Sequence, residues 1–410
     1  MTTQVPEERN STAAATGSTL LAERTVRDVG KRAYLHHLDL IRVTTFSLVI
    51  FVHCLTQTTD EMNSLPVNTT SLLFHATRNM FFALTGYVLM YQYFDRPGFS
   101  TIEFWRRRLG LVIFPYLIWS AIYWIVKDVW ARDRVGDVLS NPIGGLEEFA
   151  RLAGWGLSGF QMYFLFVMLQ VYLLFPLVLW LVRATAGRHA ILLGASLAVQ
   201  VAITYTITYW HPPAEIAGYW WHHYATFVPY QFFILYGAVA AAHREAIADW
   251  LSGKGWWLFG ALVGTGALAV GVYLGGVWFG DEPVHSSNSA FFPYLLPFII
   301  VMIACLYAAA THWAEHWRDF TPRFARAVSF GANRSFGVFL AHVLVLFFVL
   351  RPRSGDQPWV LATFGQPLGT IVTYLATILG SLLLVEILRR LPGSRYLTGR
   401  PRLPLRRATH

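Results

Sequence analysis

Charge is what this sequence has least of. Asp, Glu, Lys and Arg make up 13% of its 410 residues, about half the share of an ordinary soluble domain. That deficit, set beside 55% hydrophobic and 16% aromatic residues, excludes a disordered chain, a coiled coil and a typical water-soluble enzyme. Cysteine is nearly absent. Cys54 and Cys305 both lie inside apolar runs, so neither a disulfide framework nor a cysteine-based metal site follows, and no metal is expected. Residues 1–34 hold no apolar stretch long enough for a signal peptide and are expected to form a flexible tail. Common catalytic signatures are missing as well: there is no HEXXH, no Walker A and no GxSxG. GWGLSG (154–159) fits GxGxxG in letters only, because no strand–helix unit surrounds it.

What the chain does have is long apolar runs, and its mean hydropathy is +0.43. Ten runs stand near 38–56, 72–94, 108–128, 160–182, 189–210, 224–242, 256–279, 290–311, 328–350 and 366–388. None alternates like a strand. Lipid satisfies no backbone hydrogen bonds, so helices are the expected spanning elements. The expected fold is all-α: a polytopic protein with about ten transmembrane helices over residues 35–390, placed in the plasma membrane, with tails at 1–34 and 391–410. The net charge is +9. The arginines flank apolar runs, so they read as orientation signals and no nucleic acid partner is expected. With the N-terminus placed in the cytoplasm, 23 of the 32 Lys and Arg fall on cytoplasmic segments and six on outside loops. Both termini are therefore expected inside. The aromatic cluster at 219–224 reads as an interfacial belt. The polar stretch 129–158, outside on this topology, is expected to cap a cavity.

The strongest chemical signal lies in the first run, HLDLIRVTTFSLVIFVHC. Arg42 and His53 are eleven residues apart. That is about 20° beyond three full helical turns, so both side chains share one face, about 16 Å apart along the axis. Ionisable residues inside a span point to function by default, although Arg42 can snorkel or pair with Asp39 one turn earlier. His53 can equally be a satisfied interior histidine, or a general base. Arg106, Arg107 and Arg108 sit at the mouth of the third run. They suit a topological anchor and also a polyphosphate, whose oxygens arginine binds in pairs. Gln161, Tyr163 and Gln170 are polar in a greasy run, consistent with interhelical hydrogen bonds. Thr85-Gly86 reads as a break that permits close helix contact. Ser335 and His342, seven residues apart, share a helix face.

These elements, in this order, resemble the acyltransferase 3 family of multispanning membrane proteins. The resemblance covers residues 34 to 398. HLDLIRVTTFSLVIFVH is similar to the family's first-span signature with its Arg–His pair, and FFALTGYVL to its FFxxSGFxL segment, with Thr85 where serine is usual. FWRRRLGLVIFPYLIW resembles the basic stretch that precedes an apolar run and a proline. SFGVFLAHVLVL resembles the late span that carries a serine and a histidine. The sequence departs from the family at Gln161-Met162-Tyr163-Phe164, where many relatives have His-Leu/Met-Trp-Phe, and Arg106 to Arg108 lack a second arginine pair.

The resemblance implies transfer of an acyl group, acetyl above all, from cytoplasmic acyl-CoA to a hydroxyl of a carbohydrate or lipid-linked acceptor, with extracellular polysaccharide the closest match. Together with the physical reading it places the CoA phosphates on Arg106, Arg107, Arg108 and Arg42. The pantetheine arm then runs between helices to His53, which serves as general base. Ser335, His342 or Arg78 could donate a hydrogen bond to the oxyanion. Cys54 points about 100° away from His53 and reads as an inert buried thiol. A rival reading is a transporter or flippase of a lipid-linked saccharide, which would consume no acyl-CoA.

Overall fold

The computed structural model describes residues 34–60, 62–285, 289, 291–352 and 357–404. The tail expected over 1–34 therefore lies almost wholly outside the described residues, as do Arg353 and the last six residues. Residues 1–36 and 37–410 form separate units, and the second is a bundle of helices. No strand occurs among the described residues.

In chain order the helices are α1 (His36–Thr58), α2 (Leu65–Phe74), α3 (Thr77–Tyr93) and α4 (Thr101–Tyr123), which runs on through a π-helical stretch, Trp124–Trp130. Two short helices follow, α5 (Val135–Ser140) and α6 (Pro142–Trp155). Then come α7 (Met162–Ala184), α8 (His189–Tyr209), α9 (Ala214–Trp220), α10 (Gln231–Ala242) and α11 (Arg244–Leu251). The rest are α12 (Gly255–Phe279), α13 (Leu296–His312), α14 (Pro322–Leu350), α15 (Trp359–Phe364), α16 (Leu368–Leu388) and α17 (Ser394–Thr398). Proline inside α4 and α7 (Pro115, Pro176) is tolerated because neighbouring helices re-satisfy the freed backbone groups.

Eight helices among the described residues are long and apolar enough to cross a membrane, where ten spans were expected. The two that fall short are α3, with 17 residues, and the apolar stretch Val228–Ala242 that contains α10. A 17-residue helix rises about 25 Å, less than the roughly 30 Å hydrocarbon. Yet α3 traverses the bundle. Arg42 of α1, Leu89 of α3 and Arg108 of α4 line one cavity, whereas His53 packs on Phe160 and His342, and Lys127, beyond α4, stands over Phe160. The chain thus passes from the Arg42 end to the His53 end in α1, returns in α3 and passes again in α4.

The short helices can be short because neighbouring helices screen them from lipid. Eleven residues of α3 and eight of α10 are buried. They also pack on each other at backbone distance. A Cβ added to Gly86 would sit 2.1 Å from the Ile234 carbonyl oxygen, and one added to Gly237 would sit 1.8 Å from that of Ala83. Small residues at such contacts are what let membrane helices approach. Gly86 therefore marks a contact and no break: α3 is continuous through Thr85-Gly86, and the interruption lies at His75-Ala76 between α2 and α3.

The second broken element precedes α10. Residues 223–230 form two 3₁₀ turns, His223–Ala225 and Val228–Tyr230. Irregular backbone at this depth needs polar partners, and glutamines supply them. Gln170 donates to the Ala225 carbonyl (2.8 Å) and accepts from the Phe227 N–H (3.1 Å), while Gln200 donates to the Pro229 carbonyl (2.9 Å). This accounts for Gln170 in an otherwise apolar helix.

Two apolar cores result. One joins α3, α7, α10, α12 and α13 around Phe82, Val167, Phe233 and Ile299. The other joins α1, α4, α7, α14 and α16 around Phe46, Trp119, Leu340 and Val385. Residues 394–404 also pack on the bundle: Trp119 donates to the Leu397 carbonyl at 2.8 Å.

Candidate functional site

A cavity of about 240 Å³ opens at the seam between the two cores. Its charged lining comes from Arg42 and Arg108, and its hydroxyls from Thr85, Tyr172 and Ser335. The buried Asp39 carboxylate lies 3.5 Å from Arg42, so an internal counter-ion holds this arginine one turn from the helix start. Arg108 is held from the side by Gln92 and stands 6.0 Å from the Tyr93 ring centroid. The other two members of the arginine triplet do not reach the cavity. Arg106 and Arg107 are exposed, and Arg107 pairs with Glu103. Consecutive helical residues diverge by 100°, so three adjacent guanidinium groups cannot share one lining.

At the far end of the cavity stand Phe81, Phe164 and Phe339, with ring centroids 5.1–6.1 Å apart. Phe339 touches His342 in turn, at 5.8 Å. Beyond this aromatic constriction lies a second polar group. His53 stacks on His342 with centroids 5.6 Å apart and planes 23° apart, and its other neighbour is Phe160 at 4.5 Å. His342 is fully buried. One ring nitrogen, Nδ1, lies 2.7 Å from the Phe339 carbonyl. A carbonyl only accepts, so Nδ1 carries the hydrogen, and in the neutral ring Nε2 keeps a lone pair. That Nε2 is buried without a partner among the described residues.

The backbone beneath His342 is braced from two sides. The Tyr123 hydroxyl donates to the Leu340 carbonyl (2.7 Å) and accepts from the Leu344 N–H (3.1 Å). Gln161 Nε2 donates to the same carbonyl at 3.3 Å. Gln161 is thus present at the family's variant position as a donor to helix α14, while its Oε1 is buried and unpartnered. Ser335 and His342 share the buried side of α14 but stand about 10 Å apart along the axis. Ser335 lines the Arg42 cavity and donates to the Ala332 carbonyl at 2.9 Å, whereas His342 belongs to the histidine pair. Cys54 points toward Thr377 of α16 at 3.8 Å.

The family model described as an acyltransferase domain matches residues 35–386, nearly the whole bundle. The chain belongs to the acyltransferase 3 family. No curated protein and no solved structure matches it. It is a multi-pass membrane acyltransferase. For this acyltransferase, the sequence pattern had singled out Arg42, Arg108, Ser335, His53 and His342, and the fold gathers them into a cavity and a histidine pair. It had not pointed to Tyr123 or His75. Aromatic residues are ordinary in such helices, and only tertiary contact distinguishes these. No cluster of three or more His, Cys, Asp or Glu suited to a metal occurs among the described residues.

Proposed function

We propose that this acyltransferase uses acyl-CoA, acetyl-CoA first among its donors, and delivers the acyl group to a hydroxyl of a carbohydrate or lipid-linked acceptor at the other membrane face. One observation carries the reading: a cationic cavity and a pair of histidines lie on one path, about three helical turns apart on α1, with three phenylalanines between them. CoA has the matching shape, a polyphosphate head on a long narrow arm. Its phosphates sit by Arg42 and Arg108 at the cytoplasmic end, the end assigned by the bias of basic residues. The arm passes Phe81, Phe164 and Phe339 and brings the thioester to His53.

In this reading His53 accepts the proton of the acceptor hydroxyl as its oxygen attacks the thioester carbonyl. The lone pair at His342 Nε2 receives a hydrogen bond from a second hydroxyl of the acceptor and so orients the attacking one. The tetrahedral intermediate collapses, the C–S bond breaks, and the CoA thiolate leaves and takes up the proton. Ser335 belongs with the donor's arm, since it lines the same cavity as Arg42. The acceptor is drawn from cell-envelope polysaccharide or its lipid-linked precursors, and the plasma membrane is where acyl-CoA and such an acceptor meet. A test incubates purified protein in lipid nanodiscs with radiolabelled acetyl-CoA and an extract of envelope glycans. Transfer of label that requires His53 supports the reading. Movement of a lipid-linked saccharide without CoA release would replace it with the transporter alternative.

A further inference from the structure

Arg78 lies near His53 and has no carboxylate partner among the described residues. Its guanidinium stands in an aromatic cage, with centroids of Phe291 at 4.5 Å, Tyr230 at 5.6 Å and Tyr163 at 5.8 Å. It donates one hydrogen bond, to the Tyr163 hydroxyl at 3.1 Å. Its Nε is buried and unpartnered. A guanidinium has five donors, and this one is left with most of them unmet.

Cation–π contacts stabilise a guanidinium only modestly. The cost of taking a cation out of water into a membrane protein is larger. A purely structural cation would be expected to recruit an acid, as Arg42 recruits Asp39 and Arg334 recruits Glu386 at 2.7 Å. Around Arg78 the neighbours are histidines instead. His53, His75 and His223 are near enough to interact with it electrostatically. One more polar atom there, His75 Nδ1, is buried and unpartnered. The group therefore carries a positive charge and unmet hydrogen-bonding atoms, next to the proposed base.

We propose that the acceptor is anionic: Arg78, held in its aromatic cage and donating to Tyr163, binds a carboxylate or phosphate on the acceptor and so places the neighbouring hydroxyl at His53. The inference rests on the acyltransferase reading of His53 and adds the substrate class. It also gives Tyr224 a purpose beyond an interfacial belt, because this residue of the aromatic cluster packs edge-on against Tyr163 at 5.1 Å and braces the cage. The closest polar geometry is a planar fork on a planar or tetrahedral anion, the pairing at which arginine excels.

The experiment compares three probes in nanodisc-held protein: methyl β-D-glucuronide, its methyl ester and methyl β-D-glucoside. Each is scored by acceptor-stimulated CoA release from acetyl-CoA and by the shift in thermal unfolding, and CoA binding is measured separately. The expected result is that the acid outperforms its ester and the glucoside about ten- to a hundredfold, the factor that one lost charge-assisted hydrogen bond produces. Arg78→Gln should abolish that preference, Arg78→Lys should keep part of it, and neither should alter CoA binding. The comparison of acid with ester in the unaltered protein requires no variant to fold. If acid and ester behave alike, including no effect of either, the inference is overturned. If CoA itself fails to bind, the donor assignment fails instead, and the two failures are told apart by that measurement.

Discussion

His53 and His342 lie face to face, 5.6 Å between ring centroids and 23° between planes. Stacked rings do not hydrogen-bond each other, so each ring's nitrogens are left for other partners. The pair divides the work if His53 takes the proton of the attacking hydroxyl and His342 Nε2 accepts from a second hydroxyl of the acceptor. His53→Ala should then lower the transfer rate about 10²–10⁴-fold at saturating acyl-CoA. Gln at position 53 should not rescue, although it would restore a hydrogen-bonding packing residue. His342→Gln should instead raise the KM for the acceptor more than it lowers kcat. Initial rates for the purified variants decide this: a His53→Ala enzyme with more than about a tenth of the normal rate removes His53 from the role of base.

The arginine triplet separates an anchor from a ligand. Arg108 lines the cavity and Arg106 does not. Arg108→Gln should raise the KM for acyl-CoA by a factor corresponding to about 1.5–3 kcal/mol for a lost charge-assisted contact. Arg106→Gln should leave KM unchanged and act, if at all, on insertion. Equal effects of the two substitutions on KM would assign the phosphates to the mouth of the bundle rather than the cavity.

How much of this was legible in the sequence follows from what periodicity can encode. The Arg42–His53 face depends on helical geometry alone, and α1 realises it from His36 to Thr58. The match of Asp39 to Arg42 is likewise a one-turn relation. Contacts between helices are not encoded this way. Gly86 and Gly237 read as small residues in apolar runs, and their pairing is visible only once α3 lies on α10. The shortness of α3 and α10 was hidden for the same reason, since a helix screened by its neighbours need not match the membrane's thickness. The two histidines were each visible, but their stacking joins residues 289 positions apart.

Orientation is open to direct labelling. The loop containing Met62, 57% exposed, lies at the end of α1 remote from Arg42. The loop containing Asp319, whose side chain is 92% exposed, joins α13 to α14 at the opposite end. In a Cys305→Ala background, Met62→Cys should react with an impermeant thiol reagent in intact cells, and Asp319→Cys only after lysis. The reverse pattern would put the arginine cavity outside and separate it from cytoplasmic acyl-CoA.

The two short helices α5 and α6 are joined by a pH-sensitive tie. Arg134 donates to both Glu148 oxygens at 3.0 Å. That hydrogen bonding holds the Glu148 carboxyl below its usual value. A depressed carboxylate stabilises the fold above its unfolded pKa, about 4.3, and loses that contribution as pH falls through the folded value. The pair is solvent-screened, so its contribution is local and small. Protection from hydrogen exchange in residues 142–155, relative to the intrinsic rate at each pH, should fall in the unaltered protein below roughly pH 4.3. In Glu148→Gln this segment should be less protected at neutral pH, without that acid-side step. A matching acid-side step in the variant would locate the titration elsewhere.

The α3–α10 contact predicts where the bundle is least tolerant of added volume. An alanine Cβ at Gly237 would meet the Ala83 carbonyl oxygen at 1.8 Å and one at Gly86 would meet that of Ile234 at 2.1 Å. The obstacle is backbone in both cases, so the helices must separate. Overpacking of this kind costs about 1–3 kcal/mol or more, and the separation would open the first core around Phe82 and Phe233. Gly110 offers the control, because a Cβ there meets nothing within 4 Å and alanine is the better helix former. Gly86→Ala and Gly237→Ala should each lower the Tm of the detergent-solubilised protein by several degrees, and Gly110→Ala should leave it unchanged or raise it. Unfolding curves read by tryptophan fluorescence make the comparison. A Gly237→Ala protein as stable as the unaltered chain would mean that α3 and α10 do not touch at backbone distance, and the explanation offered for their short length would fall with that contact.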